Sequence, residues 1–135
     1  MSPARRTGFG LAMAAALTLA GCATAGGGPS YPSVDGSYAG GVTVEGQGID
    51  GTLEVRQEGP ELSVLFDAPS FGLMAEGAGT LEPDGSARIF LDYDLQCPGR
   101  AEFVGRFTPD GTGFSGNVTA ADCTGQIGGT FSFRR

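Results

Sequence analysis

The chain of 135 residues contains no histidine, no lysine and no tryptophan. Without histidine it cannot build a Ser-His-Asp or Cys-His nucleophilic site or a histidine-based metal site. Without lysine it has no Schiff-base or Ser-Lys chemistry. The side chains that these enzyme classes need are missing, so we expect a protein that is not an enzyme and that holds no cofactor and no metal.

Two carboxylates are the remaining candidate for catalysis, Asp92 and Asp94. Residues two apart on a strand share a face and lie about 6 to 7 Å apart. That spacing suits two-carboxylate hydrolysis or a hard cation. Because two carboxylates on a solvated strand are also common, a hydrolase using Asp92 and Asp94 is the less favoured alternative.

Positive charge is scarce, since eight arginines stand against 15 acidic residues and the formal net charge is −7. A surface of this sign repels nucleic acid and gains nothing from anionic lipid headgroups. We therefore expect no nucleic-acid partner, and we attribute the acidity to solubility.

Long apolar runs are also missing, apart from residues 9–20, which follow Arg5 and Arg6. A charged start, an apolar core and an exit of small residues are typical of a secretory signal. As a helix, a dozen residues span about 18 Å, against a hydrocarbon core of about 30 Å. We predict a signal peptide over residues 1–21 rather than a permanent membrane span.

Leu19-Ala20-Gly21-Cys22 closes this run and resembles the lipobox of bacterial lipoproteins. The resemblance implies diacylglycerol on the sulfur of Cys22, cleavage after Gly21 and a further acyl chain, such as palmitate, on the new amino terminus. Two acyl chains anchor a protein stably, whereas one holds it only marginally. The alternative is an ordinary cleaved signal with a coincidental cysteine.

The lipobox resemblance implies an exported protein whose membrane partner is reached through lipid on Cys22. Ala23 follows that cysteine, and the sorting rules of the family then favour the outer membrane if the host has two membranes. In a host with one membrane, the resemblance implies the outer face of the cell membrane.

The segment after the leader is rich in glycine, serine and proline, so residues 22–35 are predicted to be the lipidated cysteine and a flexible tether. Residues 36–135 suffice for one domain. From Gly36 the apolar residues alternate with period two, and turn signals recur. The pattern predicts eight strands: Ser37–Glu45, Gly51–Gln57, Glu61–Asp67, Leu73–Glu82, Ser86–Asp94, Arg100–Thr108, Gly113–Ala120 and Gly125–Arg134.

Three connections have the sequences of tight turns, at Pro60, Pro83 and Pro109. Strands linked by consecutive hairpins form a meander, and closing it removes exposed edges. We predict an all-β protein, a single small eight-stranded antiparallel up-and-down barrel, with a two-sheet β-sandwich as the alternative. We call the end with these three turns, where the tether enters, the near end, and the opposite end the far end.

Three cysteines are present, and if the lipobox resemblance assigns Cys22 to lipid, Cys97 and Cys123 remain as a pair. Both fall in far-end connections on either side of the sixth strand, and exported proteins meet oxidising conditions. Strands two places apart are about 9.6 Å apart, and a disulfide needs Cα atoms about 5.5 Å apart, so the loops must lean together. A disulfide is predicted, with a zinc site on the two thiols as the alternative.

Large apolar residues occupy the predicted inward positions, namely Tyr38, Leu53, Val64, Phe66, Leu91, Tyr93, Phe103, Phe107, Phe114, Phe131 and Phe133. Eight strands enclose a space that side chains fill or that holds one small ligand, and both alternatives stay open. If the interior is hollow, the candidate ligand-binding residues are Phe66, Phe71, Met74, Tyr93 and Phe103, of which Phe71 and Met74 stand at the far rim.

Gly36-Ser37-Tyr38 resembles the G-x-W opening of lipocalins, and Arg134 resembles their late arginine. The resemblance implies a lipocalin-like calyx, although tyrosine stands where those proteins have tryptophan. We therefore expect a membrane-anchored cell-envelope lipoprotein that is not an enzyme and that binds a small apolar ligand or presents its loops to an envelope partner. A protein-interaction or inhibitor module is the alternative function.

Overall fold

The computed structural model describes residues 28–135 and contains a closed barrel of eight antiparallel strands in chain order. The strands are β1 (Gly36–Val44), β2 (Gln47–Glu58), β3 (Glu61–Ala68), β4 (Leu73–Leu81), β5 (Ser86–Asp94), β6 (Pro98–Phe107), β7 (Gly113–Asp122) and β8 (Gly125–Arg134). β1 pairs with both β2 and β8, so no strand is left at an edge. The predicted barrel is confirmed, and the alternative β-sandwich is wrong.

The signal peptide and Cys22 lie outside the described residues. Across residues 28–135, no helix has the length and the apolar character that a membrane span requires. The lipid anchor therefore stays a prediction from the sequence.

One strand differs clearly from its predicted bounds. β2 begins at Gln47 rather than Gly51, because β1 and β2 are joined by a turn of only two residues. Both turn residues, Glu45 and Gly46, have positive φ angles of 49° and 78°. This is the backbone of the two-residue turns that match the twist of a hairpin. The ladder consequently runs on to the pair Val44 and Gln47.

The near half of the barrel is filled by aromatic rings. Phe107 stacks on Phe114 with their ring centroids 4.1 Å apart, and it meets Tyr38 edge-on at 5.8 Å. Phe114 in turn packs against Phe131 at 4.6 Å. All eleven residues predicted to point inward are buried, except that Tyr93 is only partly so. Aromatic pairs in such geometries add stability beyond the area they bury.

Inward-facing glycines make room for aromatic rings, both in this cluster and at Tyr93 toward the far end. A Cβ atom on Gly105 would lie 2.7 Å from the Cζ atom of Phe131, and one on Gly99 would lie 2.5 Å from the Cζ atom of Tyr93. Such distances are too short for real contacts, so the ring lies directly on the backbone of the glycine. Glycine inside a strand often marks a close approach of this kind.

The segment Tyr31–Asp35 closes the near end. The prediction that these residues belong to a flexible tether is therefore wrong. Val34 is fully buried within the barrel core. Gln57 accepts a hydrogen bond from the Val34 N–H (2.8 Å) and donates one to the Pro32 carbonyl (2.9 Å). A residue with this burial and these contacts belongs to the domain, which therefore begins at or before Tyr31.

Arg135 strengthens this closure. Its guanidinium lies over the Tyr38 ring, 5.6 Å from the centroid, and donates to the carbonyls of Asp35 and Ser33. The arginine that contacts Tyr38 is thus Arg135 and not Arg134, the residue named from the sequence, although both side chains are exposed.

Candidate functional site

A cavity of about 140 Å³ occupies the far half of the barrel. Its wall is formed by inward residues of all eight strands and by one loop residue: Val42, Val44, Ile49, Phe66, Leu73, Ala75, Leu91, Tyr93, Leu95, Ala101, Phe103, Val118, Ala120, Asp122 and Ile127. Leu95 and Ile127 also reach solvent, with 52% and 37% of their surface exposed. The barrel is therefore filled at the near end and hollow at the far end.

Three of the five candidate ligand residues line this cavity. Phe66, Tyr93 and Phe103 are in its wall, and the two phenylalanines also pack on the aromatic cluster beneath it. Phe71 and Met74 were also predicted to belong to the site, and this is corrected here because neither residue is part of the cavity wall. They are 40% and 60% exposed.

Small inward residues create the space, and the sequence analysis overlooked them. Ala75, Ala101 and Ala120 line the cavity, whereas Phe107 and Phe114 occupy the inward positions at the near end. The signal was present in the sequence, because inward positions change from large to small side chains along the strands. In small barrels such a change decides where the interior is filled.

Only two polar side chains belong to the cavity wall, Tyr93 and Asp122. The Tyr93 hydroxyl donates to the Oδ2 atom of Asp122 at 3.2 Å. The other carboxylate oxygen of Asp122 accepts from the Thr124 N–H (2.8 Å) and the Thr124 hydroxyl (2.5 Å). The carboxylate is thus held in one position at the rim.

These contacts shift the pKa of both groups in ways that keep the pair in one charge state. The hydrogen bonds from Thr124 hold the pKa of Asp122 below its ordinary value. Burial raises the pKa of Tyr93, and its bond to Asp122 raises it further. Near neutral pH the rim therefore carries a fixed negative charge beside a neutral phenol.

A disulfide joins the two connections at this rim. Cys97 and Cys123 are bonded with their Cα atoms 6.2 Å apart. The predicted pairing is confirmed, and the zinc alternative is wrong because neither sulfur is a free thiol. The bond ties the loop after β5, which carries Leu95, to the turn after Asp122. Two residues of the cavity wall are thereby braced.

The other predicted pair, Asp92 and Asp94, lies on the exposed outer face of β5. Asp92 accepts a hydrogen bond from Arg100 at 2.9 Å, and both side chains are about two-thirds exposed, at 65% and 64%. Neither aspartate lines the cavity. The structure therefore separates the candidate hydrolytic residues from the cavity.

No protein-family model matches the chain, and no curated protein matches it in sequence. Among solved structures, it is similar to a redesigned β-barrel, mFAP1, bound to DFHBI, with a TM-score of 0.62 and 19% identity over 76% of this chain and 94% of that chain. It is also similar to EF1p2_mFAP2b bound to DFHBI, with a TM-score of 0.61 and 16% identity over 76% and 93%. At these identities the likeness shows the fold alone.

Proposed function

We propose that the protein is a lipid-anchored lipoprotein of the cell envelope, not an enzyme, whose barrel binds a small apolar molecule in the far-end cavity. The observation that carries the proposal is a space of about 140 Å³ in a wall with only two polar side chains. An apolar cavity of about 150 Å³ stays dry and takes benzene. The ligand is therefore about the size of one six-membered ring.

The closure of the near end shows at which end of the barrel the proposed anchor is attached. Since Tyr31–Asp35 packs at the near end, the tether shortens to residues 23–30. The proposed anchor then joins the barrel at its near end, and the cavity mouth lies at the opposite end, the end farther from the point of attachment.

Presentation of the rim to an envelope protein is the second candidate function, as a protein-interaction or inhibitor module. The observation that favours it is Leu95, an apolar residue that is 52% exposed two positions before the disulfide-bonded Cys97. A braced apolar residue is a suitable contact for a partner. This function needs the rim but not the cavity, so filling the cavity separates the two.

Benzene is the probe for the cavity, used with the chain from residue 22 carrying Cys22→Ser so that no detergent is needed. We expect saturable shifts of the Val42 and Val118 methyl signals in NMR spectra, because both residues line the cavity. Ala75→Leu fills the space and abolishes the shifts. Ala78→Leu, on the outer face of the same strand, is the matched control and keeps them. Absence of a saturable shift in the unfilled protein would contradict the proposal.

The anchor is tested separately by cell fractionation and mass analysis. We expect the intact chain in the membrane pellet and the Cys22→Ser variant in the soluble exported fraction. The N-terminal peptide should begin at Cys22 and carry the mass of acyl chains. An unmodified Cys22 would refute the anchor without touching the cavity.

A further inference from the structure

The polar part of the cavity wall offers hydrogen-bond acceptors and no free donor. The single proton of the Tyr93 hydroxyl is given to Asp122, which leaves lone pairs on the hydroxyl oxygen. A carboxylate accepts only. All other side chains of the wall are apolar. A ligand that meets Tyr93 and Asp122 must therefore bring its own donor.

The charge of the far end also disfavours an anionic ligand. The four far-end connections, 45–46, 69–72, 95–97 and 123–124, contain Glu45 and no arginine. The nearest arginine in the ladder, Arg100, faces outward and pairs with Asp92. Two like charges at close range repel each other, and solvent reduces this repulsion only in part beside an apolar wall. An anionic headgroup at the mouth would meet Asp122, and within residues 28–135 no arginine belongs to the cavity wall to offset the repulsion.

We infer that the cavity selects an apolar group carrying a neutral or cationic hydrogen-bond donor, an alcohol or amine, and rejects the corresponding carboxylate. This inference rests on the proposed function and names its ligand class. The donor contacts the Tyr93 hydroxyl oxygen or Asp122, and the apolar part lies against Leu91, Phe103 and Val118. Turning the Tyr93 hydroxyl toward a bound carboxylate would not help, because Asp122 would lose its partner and face the second anion.

Benzyl alcohol, benzylamine and benzoate form a matched test, since each has one ring and one carbon bearing a neutral, cationic or anionic group at pH 7. Binding is followed by methyl shifts on the chain from residue 22 with Cys22→Ser. We expect benzoate to bind at least about tenfold more weakly than benzyl alcohol, a difference of about 1.4 kcal/mol. Benzoate binding as tightly as benzyl alcohol overturns the inference.

Asp122→Asn removes the negative charge and supplies an amide donor. We therefore expect this variant to show a smaller difference in affinity between benzoate and benzyl alcohol. Asp94→Asn removes one charge from the outer face at the end of β5 and should leave the difference in affinity between benzoate and benzyl alcohol unchanged. If Asp122→Asn fails to fold, Tyr93→Phe is the second variant. It keeps the charge of Asp122 and frees the Oδ2 atom that the Tyr93 hydroxyl occupies, so benzyl alcohol should still bind at least about tenfold more tightly than benzoate.

The outcomes separate this inference from the proposal beneath it. If benzene and all three probes bind with equal affinity, the selectivity is refuted while the cavity remains a binding site. If neither benzene nor any probe binds, the proposed function fails and this inference fails with it. If the difference in affinity between benzoate and benzyl alcohol is unchanged in Asp122→Asn, the Asp122 carboxylate is not what rejects benzoate.

Discussion

The hydroxyl of Tyr38 lies 2.6 Å from the carbonyl oxygen of Gly111, although 73 residues separate them in sequence. The same hydroxyl is 2.7 Å from the carbonyl oxygen of Val34. Tyr38 is fully buried, and burial raises its pKa. One phenol thus joins the entry segment, β1 and the turn between β6 and β7, which together close the near end.

Removing this hydroxyl tests the closure. Tyr38→Phe removes the single proton that the carbonyl oxygens of Val34 and Gly111 share, and we expect the free energy of unfolding to fall by about 1 to 3 kcal/mol. Urea denaturation measures the loss. Tyr93→Phe removes the same atom at the cavity mouth, where water replaces it, and should cost less. If both variants lose the same free energy of unfolding, the hydrogen bonds of Tyr38 stabilise the fold no more than the one at the cavity mouth.

Truncation tests where the domain begins. A chain starting at residue 31 keeps Tyr31–Asp35, whereas one starting at residue 36 loses Val34 from the core. Burying one such side chain contributes about 2 kcal/mol, and Gln57 loses its hydrogen bonds to the segment as well. We expect the shorter chain to be less stable by at least about 2 kcal/mol in urea. If the two chains are equally stable, residues 31–35 belong to the tether and not to the folded domain.

Loss of the disulfide should destabilise the barrel while leaving it folded. The bond spans 26 positions, and chain entropy predicts about 3 kcal/mol for a closed loop of that length. We expect the double variant Cys97→Ser, Cys123→Ser to unfold at correspondingly lower urea concentration, in a background with Cys22→Ser. The parent with Cys22→Ser alone, treated with a reducing agent, is the control and should match it. An unchanged urea midpoint would contradict this.

Acid should weaken the turn between β6 and β7. Hydrogen bonds from Thr108 and Thr112 lower the pKa of Asp110 to about 2 from its ordinary value of 3.8. A carboxylate with a lowered folded-state pKa stabilises the fold above the unfolded value and loses that contribution as pH falls through the folded one. Between about pH 4 and pH 2 the urea midpoint should therefore fall.

Asp110→Asn is the variant that isolates this effect. Its urea midpoint should fall less between those two pH values than that of the parent protein, because asparagine does not titrate. Asp94→Asn, which removes a charge from the exposed end of β5, controls for net charge and should follow the parent. A parallel fall in Asp110→Asn and the parent would show that other groups carry the acid dependence.

The strands could be predicted wherever alternation was bounded by clear turn residues. β5 and β8 have the predicted bounds, since Ser86 and Gly125 follow turn sequences and large apolar residues recur at every second position. β2 was predicted too short, because Gln47–Asp50 has a single large apolar residue. Its pairing is imposed by the partner strand, which a local pattern does not reveal.

The cavity wall was harder to predict because it depends on which of the alternating residues in each strand face inward. A short 3₁₀ turn at Pro69–Phe71 ends at Gly72, whose φ is 59°, and it sets β4 so that Leu73 faces inward and Met74 outward. Leu73-Met74 gives no hint of this choice. The burial of Val34 was missed for a similar reason, since its partner Gln57 is 23 residues away.

A crystal structure of the Cys22→Ser chain under xenon pressure tests the central claim most directly. Xenon enters apolar cavities of this size. We predict one xenon atom among Leu91, Phe103 and Val118, in the space of about 140 Å³, and none in crystals of Ala75→Leu. A far half filled by side chains, with no xenon bound, would contradict the account.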